Sequence, residues 1–585
     1  MINAPESSLD FRNTNTLWCS VLVETLVQRG MRRAVISPGS RSAPLTIALA
    51  RHPRIESIPV LDERSAAFFA LGLAKQRGRP VALVCTSGTA AANFLPAIVE
   101  ARETGVPLLV LTADRPPELR DCHSGQTIDQ VKIYGGYVNH HHECAVPETT
   151  MPMLRYLRQT VAHALERCRQ PVAGPVHLNC PFRDPLVPLP QALPAGINAV
   201  AFRGFFAGLQ DYWPGDGVAE VALGGPLWPR LTDQSRGVIV VGPNEPVSAD
   251  LFAQNVGRIS RALGWPVLAD ALSPGRTHAA AAGHLVVHYD TLLRNEKLAA
   301  ALQPAQVICI GGWPTSKVLR AWLQRADPET VIVTERPTNE DALHLRTSFA
   351  RCELTTWSQG FRGKKRLAAY AKQWLDADRK TSRALAAEWR KIKGLVEPRW
   401  VGVLARELPV ATTCFIASSM PVRDAEYFWP AGNGRQQFRF NRGANGIDGT
   451  LSTALGAAHG GAPAVLVTGD LALLHDTNGF LLRPKFKGSL TIVLINNEGG
   501  GIFQHLPVAQ FNPPFEEFFA TPQEADFKKL CSAYGVAHVR VRDVRHLAGL
   551  VAKLPPRGIR VLELRTDRKR DAAFRQDLFA RLAGG

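Results

Sequence analysis

Short aliphatic runs, each stopped by Gly, Ser, Asp, Asn or Pro, recur along the chain at intervals that leave room for a helix between them. In the first 190 residues, 34–36 ends in Ser37-Pro38-Gly39-Ser40-Arg41-Ser42, 55–61 in Asp62-Glu63-Arg64, 81–85 in Thr86-Ser87-Gly88-Thr89, and 106–111 in Thr112-Ala113-Asp114-Arg115-Pro116. Apolar runs without alternation mark strands covered on both faces, as in parallel sheets flanked by helices. The spacing predicts an α/β layer whose turn residues share one edge. After a Pro/Gly/Ala-rich entry (188–196) and a Trp/Gly-rich stretch (213–228), the pattern resumes at 238–243, 266–268, 307–311 and 331–334. No GxGxxG and no acid at its expected distance accompany these runs, so a Rossmann-like middle domain without dinucleotide is expected. A charged helical run, 364–399, leads to a third set that opens at 412–417 and ends in Ser418-Ser419-Met420-Pro421-Val422-Arg423. The expected fold is α/β, with three consecutive parallel-sheet domains over 1–190, 191–375 and 376–585.

The third domain carries the most chemistry. A run at 464–467 stops at Gly469-Asp470, another at 490–495 stops at Asn496-Asn497, and 471–482 between them reads as a helix. In such a parallel βαβ unit, ligands sit beyond the carboxyl ends of the strands, which sets Asp470 beside Asn497. A carboxylate, an amide oxygen and the backbone carbonyl of Gly499 suit a hard cation. Mg²⁺ takes a few protein oxygens and completes its octahedron with water and phosphate, so a diphosphate ligand is implied. The same residues also read as a strand-end Asp and an Asn-Asn-Glu-Gly turn.

Composition narrows the classes. The 585 residues allow about three or four domains, and 45% hydrophobic with 20% charged residues is ordinary for a globular protein. Without a long apolar run, and with a polar start over 1–15, the reading is cytoplasmic with no membrane insertion. Ten scattered cysteines without a CxxC pair suggest reduced thiols. His140-His141-His142-Glu143-Cys144 resembles a metal cluster, but neighbours on a strand point to opposite faces, and a partly exposed segment is expected. The net charge of +17 admits nucleic acid, membrane surfaces or anionic substrates. Residues 362–366 and 565–575 read as solvated faces of a linker helix and a tail. No zinc finger, RRM or KH signature accompanies them, so nucleic acid binding is not expected.

Gly469-Asp470, then 25 residues, then Asn496-Asn497 resembles the thiamin diphosphate motif of the 2-oxoacid decarboxylase and acetolactate synthase superfamily. Taken with 37–42, 62–64, 86–89, 441–449, 469–471 and 496–503, the chain closely resembles one branch, the 2-succinyl-5-enolpyruvyl-6-hydroxy-3-cyclohexene-1-carboxylate synthases of menaquinone biosynthesis, in which Leu471 is the usual residue. The resemblance spans essentially the whole chain. It implies a transferase that uses thiamin diphosphate with Mg²⁺ or Mn²⁺ to decarboxylate 2-oxoglutarate and add the succinyl unit to isochorismate. It also implies a homodimer or homotetramer, with each cofactor between the first domain of one subunit and the third of another.

Carried over by motif, Glu63 would hydrogen-bond the aminopyrimidine N1′ and promote loss of the cofactor's C2 proton. Ser419, Met420, Gly469, Asp470, Leu471 and Asn497 would border the cofactor, with Asp470, Asn497 and Gly499 on the metal. Ile447 would wedge the cofactor into its bent form, and Ile502, Phe503 and Leu506 would line the pocket. Ser40, Arg41, Gln126, Lys317, Ser419, Arg423 and Arg442 would hold substrates. The family pattern has two adjacent basic residues where this chain has Lys317-Val318, so the second role is open or passes to Arg320. Read without the resemblance, Glu63 is also a helix-dipole partner and each arginine an ion pair. Two rival functions remain: another thiamin diphosphate decarboxylase or carboligase, which would need fewer strand-end arginines, and a non-catalytic basic scaffold, which leaves the motif spacing unexplained.

Overall fold

Aliphatic runs that alternate with helices fold as parallel strands covered on both faces, and all eighteen strands of the described chain pair in this way. The computed structural model describes residues 8–211, 235–392 and 394–584; the Trp/Gly-rich stretch, 213–228, lies outside them. The first sheet contains β1 (Arg33–Ile36), β2 (Glu56–Pro59), β3 (Val81–Cys85), β4 (Leu108–Asp114), β5 (His140–Glu143) and β6 (Pro175–Pro181). The second contains β7 (Gly237–Val241), β8 (Pro266–Ala269), β9 (His284–Val286), β10 (Gln306–Ile310), β11 (Glu329–Thr334) and β12 (Arg346–Arg351). The third contains β13 (Thr413–Ile416), β14 (Gln437–Arg439), β15 (Ala464–Gly469), β16 (Ser489–Asn496), β17 (Ala537–Arg540) and β18 (Gly558–Arg565). Every pairing is parallel. This bears out the expected α/β class.

Strand order fixes where ligands fit. The first sheet runs β2-β1-β3-β4-β6-β5 and the third β14-β13-β15-β16-β18-β17, so both reverse direction at the pair formed by their first and third strands. The middle sheet, β12-β11-β10-β7-β8-β9, has the doubly wound Rossmann order. The chain separates into two compact units, one of Met1–Glu220, Asn441–Gly461 and His475–Lys487, the other of Val221–Phe440, Ala462–Leu474 and Gly488–Gly585.

In the first unit, helix Glu63–Arg77 crosses helix Thr450–Ala458 at two glycines. A methyl on Gly72 would lie 2.1 Å from the Thr453 carbonyl oxygen, and one on Gly456 would lie 2.1 Å from that of Phe69. Only hydrogen at these Cα atoms lets the two backbones touch. The single helix expected over 471–482 is instead Asp470–His475 followed by a 3-10 stretch, Thr477–Lys485. The break falls at Asp476, a buried carboxylate that accepts from Ser452 N at 2.7 Å and Ser452 Oγ at 3.0 Å. A short polar side chain satisfied by a neighbouring helix competes with helix continuation.

Other details depart from the sequence reading. Residues 362–366 form an exposed loop ahead of helix Ala369–Lys391, not part of that helix. Residues 565–575 are not a solvated tail: they enter helix Arg568–Gly584, and Arg575 is 1% exposed. The three histidines lie half-buried on β5, at the edge of the first sheet, and His141 Nδ1 is 3.0 Å from His177 Nδ1. Among the described residues no helix is long and apolar enough to cross a membrane.

Burial pushes the Asp476 carboxyl up to about 7, against the pull of its two Ser452 hydrogen bonds. Between the ordinary carboxylate value and that point the folded state retains a proton that the unfolded chain releases, so stability falls as pH rises from about 4 to about 7. Asp476→Asn removes this dependence. In urea titrations it should gain a few kcal/mol relative to the parent across that window, with the gap level above pH 7; a pH-independent difference would contradict this account.

Candidate cofactor and substrate site

In the second unit, Gly469 of β15 pairs with Ile495 of β16, so Asp470 and Asn497 follow the carboxyl ends of adjacent strands. Asp470 Oδ1 accepts from Leu471 N and Oδ2 from Gly499 N, both at 2.8 Å. Burial pushes its carboxyl up to about 6, against these two hydrogen bonds and with Glu397 adding to the rise. Asn497 Nδ2 donates to Glu397 Oε1 at 3.4 Å, whereas Asn497 Oδ1 is buried with no protein partner. The Gly499 carbonyl accepts from Gly501 N at 2.8 Å and keeps a second lone pair. A buried carboxylate, an orphaned amide oxygen and a carbonyl form a hard donor set that a small divalent cation and a phosphate would satisfy. Among the described residues no group of three or more His, Cys, Asp or Glu is placed to hold a metal, so a cation here depends on the amide and carbonyl donors.

The switch point of the same sheet lies between β13 and β15. Ser419, half-exposed at the turn after β13, has φ 72° and begins helix Met420–Phe428. A non-glycine residue held there costs about 1–3 kcal/mol, and such strain gathers at functional turns. The first amides of that helix have no intrahelical acceptor and favour an anion. On its next turn Arg423 Nη1 donates to the Ser419 carbonyl at 2.7 Å. Burial, with Arg320 close by, lowers the Arg423 pKa. Burial also lowers Arg320, half-buried one turn into helix Lys317–Ala326, whereas Lys317 at its start is exposed. His505 is pushed down to about 4 by burial and by Arg575, Arg423 and Arg294, and its Nε2 is buried without a partner. Ile502 and Phe503 are half-buried in the 3-10 turn Gly501–His505, with Phe503 edge-on to Phe519.

In the first unit, the loops after β1, β3 and β4 meet. Ser87 Oγ donates to the Gln126 carbonyl at 3.0 Å, and Gln126 Nε2 returns a bond to the Ser87 carbonyl at 3.1 Å. Arg115 donates to Ser87 Oγ and, at 2.8 Å, to the Gly125 carbonyl. Arg41 donates to the Phe182 carbonyl at 2.9 Å, its Nε buried and unpartnered, beside exposed Ser40. Glu63 occupies the first turn of its helix, half-buried, while Asp62 is the N-cap and accepts from Ser65 N at 2.7 Å. Capping thus falls to Asp62 and leaves the Glu63 carboxylate for another partner. Arg442 and Ile447 are half-buried, and Glu100 anchors their loop by accepting from Gly443 N at 3.0 Å and Ala444 N at 2.7 Å.

Comparison with known proteins is consistent with both clusters. Residues 19–133 match the family model "Thiamine pyrophosphate enzyme, N-terminal TPP binding domain", 220–416 the "Middle domain of thiamine pyrophosphate", and 417–562 the "Thiamine pyrophosphate enzyme, C-terminal TPP binding domain". A 2-succinyl-5-enolpyruvyl-6-hydroxy-3-cyclohexene-1-carboxylate synthase of Trichodesmium erythraeum (strain IMS101) is 49% identical over 578 residues, 97% of this chain and 98% of its own. Proteins of the same name are 50% identical over 580 residues in Nostoc sp. (strain PCC 7120 / SAG 25.82 / UTEX 2576), 98% of each chain, and 49% identical over 583 residues in Synechococcus sp. (strain JA-3-3Ab), 98% of this chain and 97% of its own. The chain belongs to this synthase family. It is a thiamin diphosphate-dependent enzyme, which bears out the resemblance drawn from the six motifs.

Sequence reasoning missed what stands behind the synthase's Asn497. Arg575 Nε and Nη2 fork Asp424 at 2.7 and 2.6 Å, and Nη2 also reaches Glu397 at 3.1 Å. Asp571 accepts from Glu397 N at 3.0 Å. All four side chains are at most 2% exposed. Burial works against the Arg575 charge, but Asp424 and Glu397 outweigh it and raise its pKa; burial raises Asp424 in turn. The only signal in the sequence was three acids scattered over 175 residues and one arginine in a basic run, which no spacing rule connects.

Removing the guanidinium strands buried carboxylates. Arg575→Ala should cost about 3–5 kcal/mol in denaturant unfolding, whereas Arg570→Ala, whose guanidinium is itself 55% exposed opposite buried Asp571, should cost about 1–3 kcal/mol. Equal losses would refute the buried-charge account.

Proposed function

We propose that this enzyme decarboxylates 2-oxoglutarate and joins the remaining succinyl unit to the ring of isochorismate, releasing carbon dioxide. The observation that carries the reading is the basic group around Ser419: half-buried Arg423 with Arg320 near it, beside a His505 that burial keeps neutral. Both substrates are multiply anionic, and guanidinium forks bind carboxylates bidentately. The relatives' name, a succinyl and an enolpyruvyl group on a cyclohexene carboxylate, supports the same pair. It also favours this reaction over that of another thiamin diphosphate carboligase.

In this reading Asp470, Asn497 and the Gly499 carbonyl hold Mg²⁺, with Mn²⁺ fitting the same donors, while Gly469, Leu471, Ser419 and Met420 border the diphosphate. Thiamin diphosphate, when bound, supplies the electron sink for decarboxylation. Glu63 holds a proton at the pyrimidine N1′. Ile447, Ile502 and Phe503 shape the pocket and exclude water. Arg41 with Ser40, Gln126 and Arg442, and Arg423 with Ser419, orient substrate carboxylates; Arg320 takes the basic role beside Lys317. Ten free thiols, eight of them buried, support a reducing compartment, the cytoplasm.

The direct test is incubation with 2-oxoglutarate, isochorismate, thiamin diphosphate and Mg²⁺, followed by mass analysis. The product should carry the mass of isochorismate plus 2-oxoglutarate less carbon dioxide; its absence from active holoenzyme would reject the substrate pair. Arg423→Ala should weaken substrate use by roughly ten- to a hundredfold, the value of one charge-assisted hydrogen bond, with cofactor affinity unchanged. A variant altered only in thermal stability would make Arg423 a structural ion-pairing residue.

We further propose a homodimer, or a homotetramer built from dimers, in which Glu63 of one subunit serves the cofactor held by the partner subunit's Asp470 and Asn497. Glu63→Gln and Asp470→Ala subunits, each inactive alone, should then regain activity on mixing. A mixed dimer has one site with both defects and one with neither, so up to half the parental activity is expected. No recovery despite demonstrated subunit exchange would mean each site is built within one chain.

A further inference from the structure

We infer that Glu397 is a positioning residue that decides which face of the Asn497 amide meets the cation; the inference rests on the metal-site reading of Asp470 and Asn497. The two ends of an asparagine amide have similar shape and opposite hydrogen-bonding character, so a neutral pocket would accept either rotamer. Here the choice is forced. A carboxylate held against a guanidinium only accepts hydrogen bonds, and Glu397 Oε2 lies 3.1 Å from Arg575 Nη2. Its Oε1 therefore demands the NH₂ end of Asn497, and takes it at 3.4 Å. Oδ1 is left on the other side, buried and without a protein partner.

Glu397 is itself immobilised. Its backbone amide donates to Asp571 at 3.0 Å, and its guanidinium partner is locked by the two-point fork on Asp424. On the Asn497 side, a methyl added to Gly501 would sit 2.7 Å from Nδ2, so the backbone closes against the NH₂ end. Groups behind a metal ligand that fix its orientation commonly set metal affinity by about ten- to a hundredfold.

Mn²⁺ serves as the probe, with free ion measured by electron paramagnetic resonance in the presence of thiamin diphosphate. Glu397→Gln can present either an amide oxygen or an amide NH₂ to Asn497, so it should weaken Mn²⁺ binding about tenfold or more, without lowering the unfolding midpoint measured in EDTA. In the Asn497→Asp background both ends of residue 497 are oxygens, orientation no longer matters, and Glu397→Gln should cost no affinity. A purely electrostatic role for Glu397 predicts a loss in both backgrounds and would overturn the inference, as would unchanged binding by Glu397→Gln in the Asn497 parent. If Asn497→Ala also leaves Mn²⁺ binding intact, the metal-site reading fails with it; if Asn497→Ala abolishes binding while Glu397→Gln does not, only the positioning role is lost. Should Glu397→Gln fail to fold, neutron density for the parent decides: deuterium on the Asn497 atom facing Glu397 supports the inference, and a bare oxygen there overturns it.

Discussion

One guanidinium, that of Arg575, holds together a buried acidic cluster on which the candidate site of the second unit depends. It joins three parts of the chain that are distant in sequence: the C-terminal helix it belongs to, helix Met420–Phe428 through Asp424, and the segment before helix Arg399–Glu407 through Glu397. Buried ion pairs seldom stabilise a protein beyond what apolar residues of the same volume would achieve. What this one provides is geometry. Asp424 follows Arg423, and Glu397 meets Asn497, so a single charge holds both the helix that carries Arg423 and the amide proposed to bind the cation.

The remaining electrostatics follow the same economy. A formal charge of +17 spread over a surface would favour any polyanion, but the arginines proposed to meet substrate are withdrawn from solvent: Arg41 with a side chain 11% exposed, and Arg423 and Arg320 half-buried. Partial burial lowers the local dielectric and strengthens a fork's grip on a carboxylate relative to an exposed lysine. Lys317, the basic residue favoured by the family pattern, is instead exposed, while Arg320, one turn along the same helix, lies near Arg423. About one turn of helix separates the residue a linear motif indicates from the one that burial sets near Arg423.

Most of the fold was legible because its signal is local. A strand buried on both faces must be continuously apolar, and its end must break in a turn, so β1, β3, β10, β13, β15 and β16 fall within a few residues of their aliphatic runs. The rim residues were legible for the same reason, since Ser419, Asp470 and Asn497 are what the runs end on. Legibility failed where long-range contacts override local pattern. Asp476 looks like any helix residue until Ser452 is brought to it. Arg575 sits in a basic run that reads as solvated, and only the fold reveals the acids opposite it. β5, β9 and β14 are short or polar edge strands whose pairing comes from the sheet, not from their own propensity.

The first and third sheets share a strand order, and the equivalence extends past the strands. The turn after β1 carries Ser37 through Arg41 and the turn after β13 carries Ser418 and Ser419, with Arg423 in the helix that follows; β3 leads into Thr86-Ser87-Gly88 where β15 leads into Asp470-Leu471, and β4 into Arg115-Pro116 where β16 leads into Asn497-Glu498. One winding plan therefore appears twice, with its crevice at the same address each time but furnished with different side chains. A chassis in duplicate lets each copy carry its own set of side chains at that crevice. Refurnishing either crevice therefore takes changes only in the turns that follow its strands, while the strand order beneath can stay as it is.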